Sequence, residues 1–117
     1  MNDLAMFRGD DRVLTVTIID TEGEVDLTEA VLRFTAKRKI GDSDANAVIV
    51  KTSTDGIDTG EDPTLGVATI ALDAADTVDE DPGRLHCDIQ LIDSDDKVRT
   101  IWLGTLTLVA DVSETAP

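Results

Sequence analysis

Two neighbouring side chains, His86 and Cys87, are the strongest candidates for acid–base or nucleophilic chemistry, since the sequence has one histidine and one cysteine. Both stand in Leu85–Ile92, a segment that alternates polar and apolar residues. The alternation predicts that His86 points outward from a strand and that Cys87 points inward as a small apolar side chain. No serine stands in a Gly-x-Ser-x-Gly turn, and no glycine-rich phosphate loop precedes a helix. We therefore expect a protein that is not an enzyme and has no cofactor.

Carboxylates are abundant in this sequence, and hard cations take oxygen ligands. Asp42–Asn46 places two aspartates and an asparagine at the first, third and fifth positions of a calcium-loop pattern. The pattern then fails, because Ala47 stands where the loop needs glycine and Ser53 stands where a bidentate glutamate would close the site. The acids of Asp93–Asp96 are typical of a solvated hairpin tip. The sequence therefore predicts no specific metal site.

The charge of the chain argues against two classes of partner. Its 117 residues include 25 acidic and 10 basic side chains, for a net charge of −15, and 19 of the acids are aspartate. Such a surface repels nucleic acid and anionic membranes, and no apolar run is long enough to span a bilayer. Met1–Leu4 lacks the features of a secretion signal, so we expect use without export. Abundant aspartate with scarce lysine also fits a halophilic origin, where concentrated salt screens the repulsion.

Apolar residues recur with a period of two, which predicts half-buried antiparallel strands. In the second predicted strand, for example, Phe34 and Ala36 are expected to face inward and Thr35 outward. The predicted strands are Arg12–Asp20, Ala30–Arg38, Ala47–Thr52, Val67–Leu72, Leu85–Ile92 and Val98–Val109.

Turn signals separate these strands at intervals of about ten residues, as in an all-β sandwich. Asp20–Gly23 and Asp93–Asp96 are predicted hairpin loops, whose Gly23 and Asp96 suit a left-handed conformation. Asp73–Glu80 is the one predicted helical turn, with Asp73 as its cap, and it would carry the chain from one sheet to the other.

The sequence thus predicts one all-β sandwich of about seven strands with one short helical turn. Gly104 is expected to bend or bulge the last strand. We place the domain at residues 1–112 and expect a flexible tail at residues 113–117.

Six side chains are candidates for an interface with another protein. Tryptophan is enriched at binding hot spots, although a lone tryptophan also serves to cap a sandwich core. The basic residues are predicted to lie on neighbouring strands, where they would either meet an acidic partner or balance an acidic surface. The Arg8–Asp10 tripeptide is predicted to form the turn into the first long strand. The candidate interface residues are Trp102, Arg33, Lys37, Arg38, Lys39 and Lys51.

Several segments in a fixed order carry a resemblance to a known family. They are Met6–Asp10, Val25–Thr28, Leu32–Lys37, Asp76–Thr77 before a Pro-Gly turn, Cys87–Leu91, and Val98–Val112. Together they resemble the small immunoglobulin-like domain of tailed-virus proteins, such as the N-terminal domain of phage baseplate upper proteins. The sequence departs from the usual pattern where Cys87 and Leu106 replace aromatic residues and Asp96 replaces a hairpin glycine.

The resemblance implies an immunoglobulin-like antiparallel β-sandwich that serves as a structural module of a virus particle. It would decorate the capsid or belong to the tail and baseplate, and its partners would be other virion proteins or copies of itself. Assembly would take place in the cytoplasm of the host, with the virion as the final location. A different class stays open, namely a free-standing carbohydrate- or ligand-binding sandwich, for which Trp102 is the main candidate contact.

Overall fold

The computed structural model of the chain describes residues 2–20 and 23–110. Regular structure in these residues is mainly extended. Alongside the strands there is one short α-helix, α1 (Ala74–Thr77), and there are 3₁₀ turns at Asp44–Asn46 and Pro63–Leu65. The strands are β1 (Asn2–Phe7), β2 (Arg12–Thr17), β3 (Ile19–Asp20), β4 (Gly23–Glu24), β5 (Val31–Lys37), β6 (Ile49–Thr52), β7 (Ile57–Asp58), β8 (Val67–Leu72), β9 (Gly83–Ile92) and β10 (Val98–Val109).

The strands form two sheets and a small hairpin. One sheet has the order β1-β10-β9-β5-β6, the other has the order β2-β8-β7, and β3 pairs with β4. From β2 the chain enters the large sheet at β5 and β6, returns to the small sheet at β7 and β8, and ends in the large sheet at β9 and β10. This strand order is that of an immunoglobulin-type sandwich. The prediction of an all-β sandwich with one helical turn is therefore confirmed.

The core lies between the sheets and is made by the alternating residues of both. On β9 the inward positions are apolar and buried, and Ile89 lies beside Phe34 of β5 in the register of the two strands. Cys87 is also buried, as predicted. Thr35 points to the outer side of the sheet, as predicted, although neighbouring residues on that side leave it only 8% exposed. The buried apolar residues of β5 and β9 are Leu32, Phe34, Ala36, Leu85, Cys87, Ile89 and Leu91.

The sequence predicted no strand before Arg12, but residues Asn2–Phe7 form strand β1. It runs parallel to β10, with Asn2 opposite Gly104 and Phe7 opposite Val109. The hydroxyl of Thr105 donates to the Asp3 carboxylate at 2.6 Å across this pair. The predicted antiparallel sandwich thus contains one parallel pair at the edge of its larger sheet.

The tripeptide at residues 8–10 forms the turn into β2, as predicted. The Asp10 N–H donates to the Phe7 carbonyl at 3.3 Å, and Gly9 has φ +82°. The Gly9 N–H donates to the hydroxyl of Thr77, a buried residue of α1, at 2.9 Å. This contact ties the turn to the helix.

Helix α1 has the cap that the sequence predicted. Asp73 is its N-cap, and the Asp73 N–H donates to the Asp76 carboxylate at 2.7 Å, which completes a capping box. The helix joins β8 of one sheet to β9 of the other, again as predicted.

Two further predictions about local structure were wrong. The irregularity of β10 lies between Thr100 and Trp102, where the register with β9 shifts, and Gly104 continues the regular pairing. No strand was predicted between Thr52 and Val67, whereas β7 lies there and pairs with β8. The left-handed positions were correct, since φ is +112° at Gly23 and +61° at Asp96. The predicted tail at residues 113–117 lies outside the described residues.

Candidate functional site

Lys51 does not contribute to an exposed basic patch, which corrects its place among the candidate interface residues. In the β5–β6 register it lies opposite Phe34, so its side chain points to the inner side of the sheet, and the residue is 8% exposed. Its Nζ lies 3.0 Å from Asp76 Oδ2 and 4.0 Å from Asp73 Oδ2. A Cβ at Gly56 would approach Lys51 Cδ to 2.7 Å, so the absence of a side chain there leaves room for the lysine. The ion pair fastens α1 to β6.

Arg33 and Lys37 lie on the outer face of the large sheet and share one carboxylate. Lys37 Nζ lies 2.8 Å from Asp44 Oδ1, and Arg33 Nη2 lies 3.5 Å from Asp44 Oδ2. Lys37 also donates to the Asp42 carbonyl at 2.8 Å. The hydrogen bond from Lys37, followed by the charges of Lys37 and Arg33, lowers the pKa of Asp44. These contacts hold the β5–β6 loop, residues 38–48, against the outer face.

The two remaining basic candidates lie at the end of β5. The Arg38 guanidinium donates to the Asp81 carbonyl and lies 3.6 Å from Glu80 Oε1. Lys39 is exposed, and its backbone N–H donates to the Asp42 carboxylate at 3.2 Å. The five basic candidates therefore occupy three separate environments. The contacts of Arg33, Lys37, Arg38 and Lys51 favour the charge-balancing interpretation for these four side chains.

The outer face of the large sheet carries a depression of about 210 Å³, which we call the outer cup. Its base is formed by the central strand β9, and the β5–β6 loop forms one wall. Ile40 and Leu103 supply apolar surface on its rim and are 77% and 54% exposed. The polar side chains that line the cup are Thr35, Lys37, Asp44, His86, Asp88 and Gln90.

Asp88 is the central carboxylate of the outer cup. It lies between Thr35 of β5 and Leu103 of β10 in the register of the sheet. Within residues 2–20 and 23–110, its side chain has no hydrogen-bond or ion-pair partner. Burial raises the pKa of Asp88, while the positive charge of Lys37 opposes this shift. A half-buried carboxylate without a partner retains its capacity to accept hydrogen bonds.

A second depression, which we call the flank groove, lies where the two sheets meet at one side of the sandwich. Val16 of β2 and Leu4 of β1 lie on its two sides, and Ile101 and Trp102 come from β10. The Trp102 ring is 6.4 Å from the Phe34 ring at an interplanar angle of 47°. Trp102 is half-buried: it packs on the core, which is one of the two roles considered for it, and its remaining surface lines the groove. The full lining is Leu4, Thr15, Val16, Thr17, Ile19, Ile101, Trp102 and Leu103.

Two strand edges border the flank groove. Strand β2 is the outer strand of the small sheet, and its paired neighbour is β8. In the described part of the chain, β1 pairs with β10 from Gly104 to Val109. Among the described residues, residues 98–102 of β10 therefore have a strand neighbour on the β9 side alone. Backbone groups at such edges can pair with an added strand.

The two residues considered for catalysis lie on opposite sides of β9. His86 is half-buried and lines the outer cup next to Lys37 in the sheet register. Cys87 is buried, and burial raises the pKa of its thiol to about 12. Burial therefore favours the protonated thiol of Cys87 at neutral pH, whereas the thiolate is the nucleophilic form.

The acidic loops make contacts within the chain. The Asp93 carboxylate accepts from the N–H groups of Asp95 and Lys97 at 2.9 and 3.0 Å, which closes the β9–β10 hairpin. Over the described residues, no group of three or more His, Cys, Asp or Glu side chains is placed to hold a metal ion. In the same residues no helix is long and apolar enough to cross a membrane.

Sequence reasoning missed both depressions. The signal for the outer cup was the series His86, Asp88 and Gln90, which places three polar side chains on one face of a long strand. Their position at the centre of a five-stranded sheet, under a folded loop, depends on strand order. Alternation along a single strand does not contain that information.

No protein-family model matches the sequence, and no curated protein is significantly similar to it. The fold is given by the strand order and the core, whereas the resemblance to tailed-virus domains stays a prediction.

Proposed function

We propose that this chain is a non-enzymatic docking module of a tailed-virus particle, mounted on another virion protein at the capsid surface or in the tail and baseplate. The observation that carries the docking role is the flank groove, bordered by two strand edges that have no further strand partner within residues 2–20 and 23–110. The virion setting comes from the order of the sequence segments that resemble immunoglobulin-like tailed-virus domains.

The flank groove suits an extended segment of a partner. In the part of the chain that the structure describes, residues 15–17 of β2 and residues 98–102 of β10 have no strand partner on the side of the groove. An added strand can pair there, and its alternate side chains can enter the groove. Trp102 and Ile101 offer apolar surface at the base, and aromatic anchors of this kind dominate many interfaces. The net charge of −15 keeps many neighbouring copies soluble and weakens adhesion to nucleic acid.

A pair of matched substitutions tests docking through the groove. Ile19 lines the groove and is 65% exposed, whereas Val13 is 63% exposed and does not line it. The particles of the virus that encodes this chain are stripped of it, and purified variants are then rebound and measured by co-sedimentation. We expect Ile19→Lys to lose binding at least about tenfold, since a lysine would have to be desolvated at an apolar contact. Val13→Lys, near the end of β2 that lies outside the groove, should bind like the unmodified chain.

Gold-labelled antibody against the chain locates it on intact particles. Label on heads supports capsid decoration, and label at the tail tip supports the baseplate. Purified particles that lack the chain would refute the virion setting. Equal binding by the Ile19 and Val13 variants would refute docking through the flank groove.

A further inference from the structure

We propose that the outer cup receives the guanidinium group of one arginine side chain from the docking protein, with Asp88 as its acceptor. This inference rests on the proposed docking function and adds the chemistry that the partner must present. It is carried by the shape of the cup, the acceptor at its centre and its position beside the flank groove.

The size of the outer cup fits one side-chain head group. Its volume is about 210 Å³, whereas a cavity of roughly 150 Å³ holds benzene. A planar guanidinium with part of its alkyl stem matches this space, and a folded peptide segment does not. Ile40 and Leu103 on the rim provide apolar surface for the stem.

The lining of the cup matches the donors of a guanidinium. Asp88 offers two carboxylate oxygens that have no partner in the described part of the chain. The Gln90 amide and the Thr35 hydroxyl, which also line the cup, add neutral acceptors. Arginine carries five donors in a fixed plane, so it can satisfy several of these groups at once.

The local charges leave Asp88 available to an incoming cation. Lys37 and Arg33 both lie within ion-pair distance of Asp44, and Lys37 is further held by the Asp42 carbonyl. These two cations are balanced in part by Asp44. The lining of the cup has two carboxylates, Asp44 and Asp88, and one lysine, Lys37. The protein as a whole is strongly negative, so its long-range field attracts a basic group.

The outer cup and the flank groove are adjacent, because Leu103 lines both. A partner segment that lies along the first half of β10 would therefore have its neighbouring side chains beside the cup. One arginine at that position would enter the cup while the segment occupies the groove. The same partner would then contact both the flank groove and the outer cup.

Arginine amide and citrulline amide test the chemistry of the cup. Citrulline replaces the guanidinium with a neutral urea of similar shape, so it isolates the charge. In amide-resolved NMR titrations we expect arginine amide to shift the signals of Thr35, Gln90 and Leu103, with a dissociation constant in the millimolar range. Citrulline amide should bind at least about tenfold more weakly, because charge-assisted hydrogen bonds are about twice as strong as neutral ones.

Asp88→Asn keeps the shape of the side chain and removes its charge. It should weaken arginine amide binding about tenfold, whereas Asp79→Asn, at an exposed position away from the cup, should leave it unchanged. Shifts scattered over the acidic surface, or equal binding by the Asp88 and Asp79 variants, would overturn the proposal.

The particle rebinding assay separates this inference from the docking function. If Ile19→Lys loses docking and Asp88→Asn keeps it, the flank groove docks the partner and the cup does not receive its arginine. Arginine amide binding combined with unchanged docking by Asp88→Asn would assign the cup to a small free cation, which also refutes the proposal. Loss of docking by both variants supports contact of one partner with both sites.

Discussion

The two faces of strand β9 differ in what their side chains contact. Inward, Ile89 is fully buried and lies between residues of β5 and β10. Outward, Asp88 and Gln90 line a depression open to solvent. The inner face is closed by apolar contacts that the alternation of the sequence specifies, whereas the outer face has polar groups with capacity to bind. The inner face of β9 therefore contributes to stability, and its outer face offers groups for recognition.

The largest expected effect comes from the inner face. Ile89→Ala should lower the free energy of unfolding by about 2–5 kcal/mol, because it removes a buried side chain and leaves a cavity. Gln90→Ala, its neighbour on the outer face, should change it by less than about 0.5 kcal/mol. Urea unfolding measures both. Similar losses for the two variants would contradict the division between the faces.

The two lysines of the large sheet give a second contrast. Lys51→Met should cost about 1–2 kcal/mol, because it leaves the partly exposed Asp76 without its nearest cation at 3.0 Å. Lys37→Met should cost no more than about 1 kcal/mol, since its partner Asp44 is exposed to solvent. Denaturant unfolding of both variants checks the order, and an equal or larger loss for Lys37→Met would contradict the buried position of Lys51.

Added salt should weaken the repulsion among surface carboxylates and leave the packing of the core unchanged. Raising the salt from about 0.1 to 1 M shortens the screening length from about 10 to 3 Å, which weakens repulsion among the 25 acidic residues. We expect Tm to rise clearly over this range, by the same amount in Ile89→Ala as in the unmodified chain. Calorimetry at several salt concentrations measures this. A Tm that is independent of salt would remove the argument for a halophilic origin.

The smallest expected effect concerns the pH response of Asp88. Burial raises the pKa of this carboxyl in the folded state, so its ionised form destabilises the fold at neutral pH. Asp88→Asn should therefore have a slightly higher Tm than the unmodified chain at pH 7. As the pH falls below the raised pKa, the folded chain takes up a proton and the difference in Tm shrinks, and it disappears below the ordinary carboxyl pKa of 3.8. A difference in Tm that persists unchanged at acid pH would contradict the buried position of the carboxyl.

The sequence predicted most of the sandwich because alternation decides which side chains a strand buries. It predicted the faces of β5 and β9, and the cap of α1 at Asp73. It missed β1, whose six residues precede a turn and pair in parallel with a strand about a hundred positions away. It missed β7 because two residues carry no detectable period. Periodicity describes one strand at a time, and these elements depend on their neighbours.

The candidate sites depended even more on strand order. Lys51 was expected on the surface with the other basic residues, yet its pairing opposite Phe34 turns it inward. The outer cup needs β9 at the centre of the sheet and a loop held over it by Asp44. The flank groove needs β2 of the small sheet to lie beside β10 of the large sheet. Each of these arrangements depends on which strands are neighbours in the sheets, and the pattern along a single strand does not specify strand order.

The parallel pairing of β1 with β10 has a mechanical consequence. The chain enters β1 at one end of the pair and leaves β10 at the opposite end, and six residue pairs join the two strands. Tension applied through the two ends of the polypeptide would slide the strands past each other along their length. The interstrand hydrogen bonds would then be loaded together, which resists rupture better than peeling them apart one at a time.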